Sequence, residues 1–357
     1  MTTLPTELGY RMPAEWERHE ATWIAWPHET SDWPGKFAPI PWVYTEIVRH
    51  LQPDESVRIL VNDQRSQKKA ERALNRSAAT LDNVRFFRIP TDRCWVRDFG
   101  PIFLTLGHRE TALTQWGFNA WSNYSNWRRD RDVPRRIGKS LKLPTFAVRR
   151  GDGKSPVVLE GGSIDVNGRG CLLTTEECLL SDVQQRNPGL ARADYERLFL
   201  DYLGVAKVVW LGKGIAGDDT HGHVDDLARF VGPSTVVAGV EEKHTDENYG
   251  PLLDNLDRLR GATDQAGKRL EVVPLPMPRP LYFDGRRLPA SYLNFYIANS
   301  VVLVPTFNDS KDRLALGILA ELFLEKEVVG IHAVDLVWGL GTLHCLTQQQ
   351  PAIETTP

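Results

Sequence analysis

Cys345 stands in WGLGTLHCLTQQQP, where Gly339, Gly341 and Thr342 let the backbone approach a ligand and polar Thr347, Gln348 and Gln349 predict a loop. A thiol in such a loop is a candidate nucleophile. Cys94, Cys171 and Cys178 lie in or beside apolar strand-like runs and read as packing thiols. His223 and Asp225 belong to GDDTHGHVDDLARF, where strand alternation would send both to one face and Val224 to the other. A histidine and a carboxylate in one pocket suit proton transfer at His223 and cation binding at Asp225. The same stretch fits two other readings: a hydrogen-bonded structural histidine, and a metal site of His221, His223 and Asp225, since HxHxD is ligand spacing. The remaining histidines, including His344, are scattered. Asp98 in CWVRDFGPIF alone reads as a surface Arg–Asp turn, and Glu160 in VVLEGGSID as a solvated acid in a tight turn.

Recurrence joins these weak signals. Apolar residues at three- and four-residue spacing predict helices over 40–51, 131–142, 190–203, 251–260 and 313–324. A short β-branched strand follows each, over 57–62, 145–150, 206–212, 269–275 and 327–331. A charged helix over 65–76 leads into a strand at 84–89. Paired apolar runs begin at Asp98, Glu160, His223 and Ser291, spaced by about 65 residues, with ATWIAWP as an earlier member. Five units of roughly three strands and one helix result, none able to bury its own apolar face, so they must stack with their loops at one end. Asp98, Glu160 and His223 occupy equivalent loops, and Cys345 follows the last strand.

The chain has 357 residues, 25% charged and 41% hydrophobic, with a net charge of −3, which is ordinary for a globular protein and excludes a dominant nucleic-acid surface. No apolar run is long enough for a membrane span and the N-terminus lacks a signal pattern, so a cytoplasmic location is expected. Four cysteines without CxxC spacing predict free thiols. Eleven tryptophans raise the prospect of aromatic walls around a cationic ligand. No linker divides the chain, so residues 1–357 read as one domain, with PLPMPRP (274–280) as a surface crossing and a loose tail beyond Pro351.

MPAEWERHEATWIAWP (12–27), WVRDFGP (95–101), FNAW (118–121), EGGSID (160–165), DDTHGHVDD (218–226), ASYLNFYIAN (290–299) and LHCLTQQQP (343–351) together span nearly the whole chain. They resemble the agmatine deiminase and bacterial-type peptidylarginine deiminase group of the guanidine-modifying pentein superfamily. The resemblance implies an α/β fold, a five-bladed propeller with pseudo-fivefold symmetry, and hydrolysis without cofactor or metal. It also implies Cys345 as nucleophile, His223 as general acid/base, Asp98 and Asp225 as guanidinium clamps, and Glu160 as the acid orienting His223. Trp95 and Trp121 would wall the clamp. The longer motifs resemble the agmatine members, implying agmatine as substrate, with free or peptidyl arginine as the alternative, and the family suggests a homodimer. A metal-dependent amidohydrolase or a non-catalytic guanidine-binding propeller are the readings from other classes.

Overall fold

The computed structural model describes residues 3–77, 79–107 and 109–353. Five sheets share one pattern: a short first strand runs antiparallel to a second, and the second pairs in parallel with a third after a helical crossover. Parallel neighbours cannot be joined by a tight turn, which is why a helix stands between them.

In the second sheet the strands are Ile102–Leu106, Glu110–Gln115 and Thr145–Ala147, with helix Val133–Leu141 in the crossover. The third holds Asp165–Val166, Cys171–Thr175 and Lys207–Leu211 with helix Arg192–Leu203. The fourth holds Ala228–Phe230, Thr235–Val240 and Glu271–Pro276 with helix Tyr249–Gly261. The fifth holds Tyr296–Ile297, Val301–Thr306 and Glu327–His332 with helix Asp312–Leu322. The first sheet draws on both ends of the chain: Gln348–Pro351 pairs antiparallel with His19–Ala25, which runs parallel to Ser56–Leu60 after helix Ile40–Leu51. Val84–Phe87 adds a fourth strand beyond helix Gln64–Arg76.

Local chemistry explains the helices. Ile40–Leu51 has proline in its first turn and buries Ile40, Tyr44, Ile47, Val48 and Leu51 along one stripe. The Asp63 carboxylate caps the next helix by accepting from Ser66 N–H at 2.7 Å. Gly204 ends helix Arg192–Leu203 with φ of 72°, a left-handed turn suited to glycine.

Several expectations change. The polar run after Cys345 is the strand Gln348–Pro351, buried along its length, and not a loop. The Gln350 amide survives burial because it is paired: Trp23 Nε1–H donates to Gln350 Oε1 at 3.0 Å, and Gln350 Nε2–H donates to Glu20 Oε2 at 3.1 Å. The proline-rich 274–280 is not wholly a surface crossing, since it begins as strand and buries Leu275 and Met277. The tail expected to be loose lies, from residue 354, outside the described residues. Among the described residues no helix is long and apolar enough to cross a membrane.

Candidate active site

Asp98, Glu160, His223 and Cys345 each sit a few residues before the first strand of a sheet, so the recurrent topology delivers them to one place. Asp98 lies on the short helix Val96–Phe99, buried and not on a surface turn. Its Oδ2 accepts from Trp121 Nε1–H at 3.0 Å and its Oδ1 from Gly162 N–H at 3.1 Å. His223 precedes and Asp225 lies within a 3-10 turn, Val224–Asp226, and not the expected strand. They still reach one pocket, while Val224 joins an apolar core. Gly162 marks the centre: a Cβ there would lie 2.7 Å from His223 Nδ1, 2.8 Å from Asp98 Oδ1 and 3.1 Å from Asp225 Oδ2. Only glycine leaves this space free.

Glu160 is not a solvated turn acid. It is fully buried, and Arg186 Nε–H donates to it at 3.1 Å. Its Oε2 lies 3.8 Å from His223 Nε2, and His223 Nδ1 lies 3.7 Å from Asp98 Oδ1. Neither ring nitrogen has a hydrogen-bond partner among the described residues, which leaves the imidazole free to exchange a proton. Asp225 Oδ2 is held by His344 Nδ1 at 2.7 Å, whereas the buried Oδ1 has no partner among the described residues. His344 Nε2 in turn lies 2.8 Å from Glu15 Oε2, a carboxylate that also accepts from Arg97 Nη2–H at 3.1 Å and Arg229 Nη2–H at 2.9 Å.

Charge follows geometry. Burial, opposed and outweighed by Arg186, leaves Glu160 lowered to about 2. Burial and the neighbouring Asp225 and Glu160 raise Asp98 to about 7 despite His223. Asp225 is held below the usual range because His344 outweighs its burial. Burial would lower His223, but Asp98 above all, with Cys178 and Glu160, raises it well above an ordinary histidine. Burial and then Asp225, Asp226 and Asp98 push the Cys345 thiol well up. A cation docked between these acids removes that opposition.

A cavity of about 130 Å³ opens onto Cys345 and Asp98, walled by Trp95 and Trp121, with Asp32, Arg93, Asp219 and Arg286 farther along its lining. His223, Asp225 and Glu160 are not on its lining. Trp95 also stacks on Trp33 with centroids 5.3 Å apart. Trp121 holds a left-handed φ of 57°.

The metal set His221, His223 and Asp225 does not assemble among the described residues: His221 Nε2 lies 3.1 Å from Ser181 Oγ. Glu160, Cys178 and His223 do bring ligand atoms within 4.8 Å of one another, but the Arg186 guanidinium already sits on Glu160 and opposes a second cation. Cys178 is therefore buried beside His223, not only in apolar packing.

The sequence matches the family described as Porphyromonas-type peptidyl-arginine deiminase over residues 11–351. The chain belongs to this family. Agmatine deiminase of Pseudomonas aeruginosa (strain LESB58) is 37% identical, with 98% of both chains covered. The structure of agmatine deiminase of Enterococcus faecalis superposes with a TM-score of 0.91 at 33% identity, over 99% of both chains. A C. jejuni agmatine deiminase carrying a cysteine-to-serine change, with substrate bound, gives 0.84 at 29% identity, over 97% of this chain and 96% of that one. The peptidyl-arginine deiminase family thus shares this mixed α/β fold end to end.

Sequence reasoning passed over three residues of this deiminase site. Glu15 and Asn294 lay within quoted motifs without a role, and His344 was counted among scattered histidines although it adjoins Cys345. Position beside the thiol was the available signal for His344.

Proposed function

We propose that this chain is a hydrolase of linear amidine C–N bonds, converting agmatine and water to N-carbamoylputrescine and ammonia. The observation that carries the reading is the convergence of His223, Asp98 and Asp225 around the space left by Gly162, with His223 between Asp98 and Glu160 and Cys345 Sγ 3.7 Å from Asp225 Oδ2. A guanidinium is planar and delocalised, and its carbon is a poor electrophile until carboxylates fix its N–H groups beneath a nucleophile. Asp98 and the free Oδ1 of Asp225 supply that grip. The docked cation offsets the acids that oppose ionisation, and Cys345 attacks as thiolate. The tetrahedral adduct expels ammonia as His223 gives its proton to the leaving nitrogen, leaving an S-alkylthiouronium on Cys345. Neutral His223 then takes a proton from water, hydroxide adds to the same carbon, and the C–S bond breaks to release the urea product. Glu160, held ionised by Arg186, orients His223.

Agmatine as substrate draws on the relatives and on the cavity. Tyr124 O–H donates to the Asp219 carboxylate on the lining, an anion suited to a distal amine. Free or peptidyl arginine is the second reading, favoured by exposed Arg286 on the same lining, which could meet a carboxylate. Ammonia release from agmatine, free arginine and an arginine peptide distinguishes them: the highest kcat/KM with agmatine supports the first, and with either other substrate overturns it.

The five sheets of one pattern support a five-bladed propeller in a single domain, with the C-terminal strand completing the first blade. A cytoplasmic homodimer is the accompanying expectation.

A further inference from the structure

Four of the five sheets are preceded by a loop carrying a member of the proposed catalytic set: Asp98, Glu160, His223 and Cys345. The loop ahead of the remaining sheet, before Tyr296–Ile297, carries Asn294. Its side chain is buried, and its bonds go to the thiol, to the thiol's turn and to Asp226. Nδ2–H donates to Cys345 Sγ at 3.2 Å and to Asp226 Oδ1 at 3.1 Å. Its Oδ1 accepts from the Thr342 hydroxyl at 2.8 Å and from His344 N–H at 3.0 Å.

Of the other groups around the sulfur, the Thr342 backbone N–H also favours the thiolate, but the neighbouring side chains do not stabilise it in the free site. Asp98 comes from the short helix Val96–Phe99, and Asp225 and Asp226 from the turn before the fourth sheet. All three are acids, and Cys345 Sγ–H itself donates to Asp225 Oδ2 at 3.7 Å. His344, on the sulfur's own turn, is directed to Asp225 and Glu15. His223 faces Asp98 and Glu160 at 3.7 and 3.8 Å, and Asp32, Arg93, Asp219 and Arg286 line the cavity that opens onto Cys345. Among the described residues, the amide of Asn294 is the side-chain donor in contact with Sγ.

We propose that Asn294 is a further catalytic residue, whose side-chain N–H holds the negative charge of Cys345 Sγ when the thiolate attacks and again when it is expelled. Hydrogen bonds to ionised acceptors are stronger than neutral ones, so the contact favours thiolate over thiol. This rests on Cys345 being the nucleophile.

The test is the pH dependence of iodoacetamide labelling at Cys345, read by peptide mass spectrometry, together with steady-state kinetics on agmatine. Asn294→Asp retains an oxygen for Thr342 and His344 while replacing the donor to sulfur. Its labelling profile is expected to move to higher pH by about one unit or more, and kcat to fall roughly 10- to 100-fold with KM changed less than about threefold. Asn294→Ala removes the donor without adding charge and is expected to shift in the same direction. It decides the matter should the aspartate variant fail to fold. A folded variant with unshifted labelling and kcat within about threefold of wild type overturns the role of Asn294 alone. Full turnover by Cys345→Ala overturns the nucleophile assignment and, with it, this proposal.

Discussion

His344 Nδ1 lies 2.7 Å from Asp225 Oδ2, and this contact fixes the carboxylate with its other oxygen, Oδ1, buried and without a partner among the described residues. Since Glu15 holds the opposite ring nitrogen at 2.8 Å, the imidazole transmits the rigidity of the Arg97–Glu15–Arg229 network to the clamp. Substitution His344→Ala is expected to raise KM for agmatine roughly tenfold or more while the Cys345 adduct still forms. Steady-state kinetics check it, and unchanged KM would mean that Asp225 positions itself.

Gly162 is the empty centre of the site. A single methyl at Gly162→Ala would meet His223, Asp98 and Asp225 at 3.1 Å or closer. Activity is expected to fall at least about 100-fold, because a displacement of reacting groups by about 1 Å costs that much, while stability falls by only about 1–3 kcal/mol. Turnover assays and urea melts on the same variant measure both.

Arg186 and Glu160 form an ion pair with both side chains fully buried. Breaking it with Arg186→Met is expected to cost about 3–5 kcal/mol at pH 7.5 by leaving a buried, uncompensated carboxylate. Glu160 sits at about 2 in the intact protein, below its unfolded value of 4.5, so its stabilising contribution is complete above that value and is lost as pH falls toward 2. In the variant its folded pKa rises instead, so protonation relieves the burial penalty. The stability deficit against wild type should therefore narrow as pH falls from 7.5 toward 5, measured by urea melts across that range.

Much of the scaffold was legible in the sequence because helices and crossover strands follow local rules. Predicted helix 40–51 coincides with Ile40–Leu51, and 251–260 lies within Tyr249–Gly261. The loops were harder. His223 and Asp225 do share a pocket, but through a 3-10 turn whose geometry no alternation pattern encodes. Gln348–Pro351 reads as polar loop because its burial depends on partners some 330 residues away, Trp23 and Glu20. Glu15, His344 and Asn294 escape a sequence reading for the same reason: each works through bonds to distant segments. That Asp98, Glu160, His223 and Cys345 stand in equivalent loops was legible because the strand and helix pattern recurs.

The acids of the clamp also set the response to pH. Asp98 is raised to about 7 by burial and by its acidic neighbours, so the free enzyme gains its ionised clamp as pH rises through that value. The kcat/KM for agmatine is expected to climb along an acid limb near pH 7 that belongs to the coupled cluster, and Asp98→Asn should remove the limb along with most of the activity. A profile flat from pH 5 to 8 would contradict this charge assignment.

The sulfur of Cys345 forming a bond to the guanidinium carbon is tested most directly by mass spectrometry of enzyme quenched in acid during turnover with agmatine. The expected result is a mass gain equal to agmatine less one ammonia, located on the peptide carrying Cys345 and lost in Cys345→Ala. Turnover proceeding with an unmodified Cys345 peptide at every quench time, and persisting in Cys345→Ala, would contradict the account.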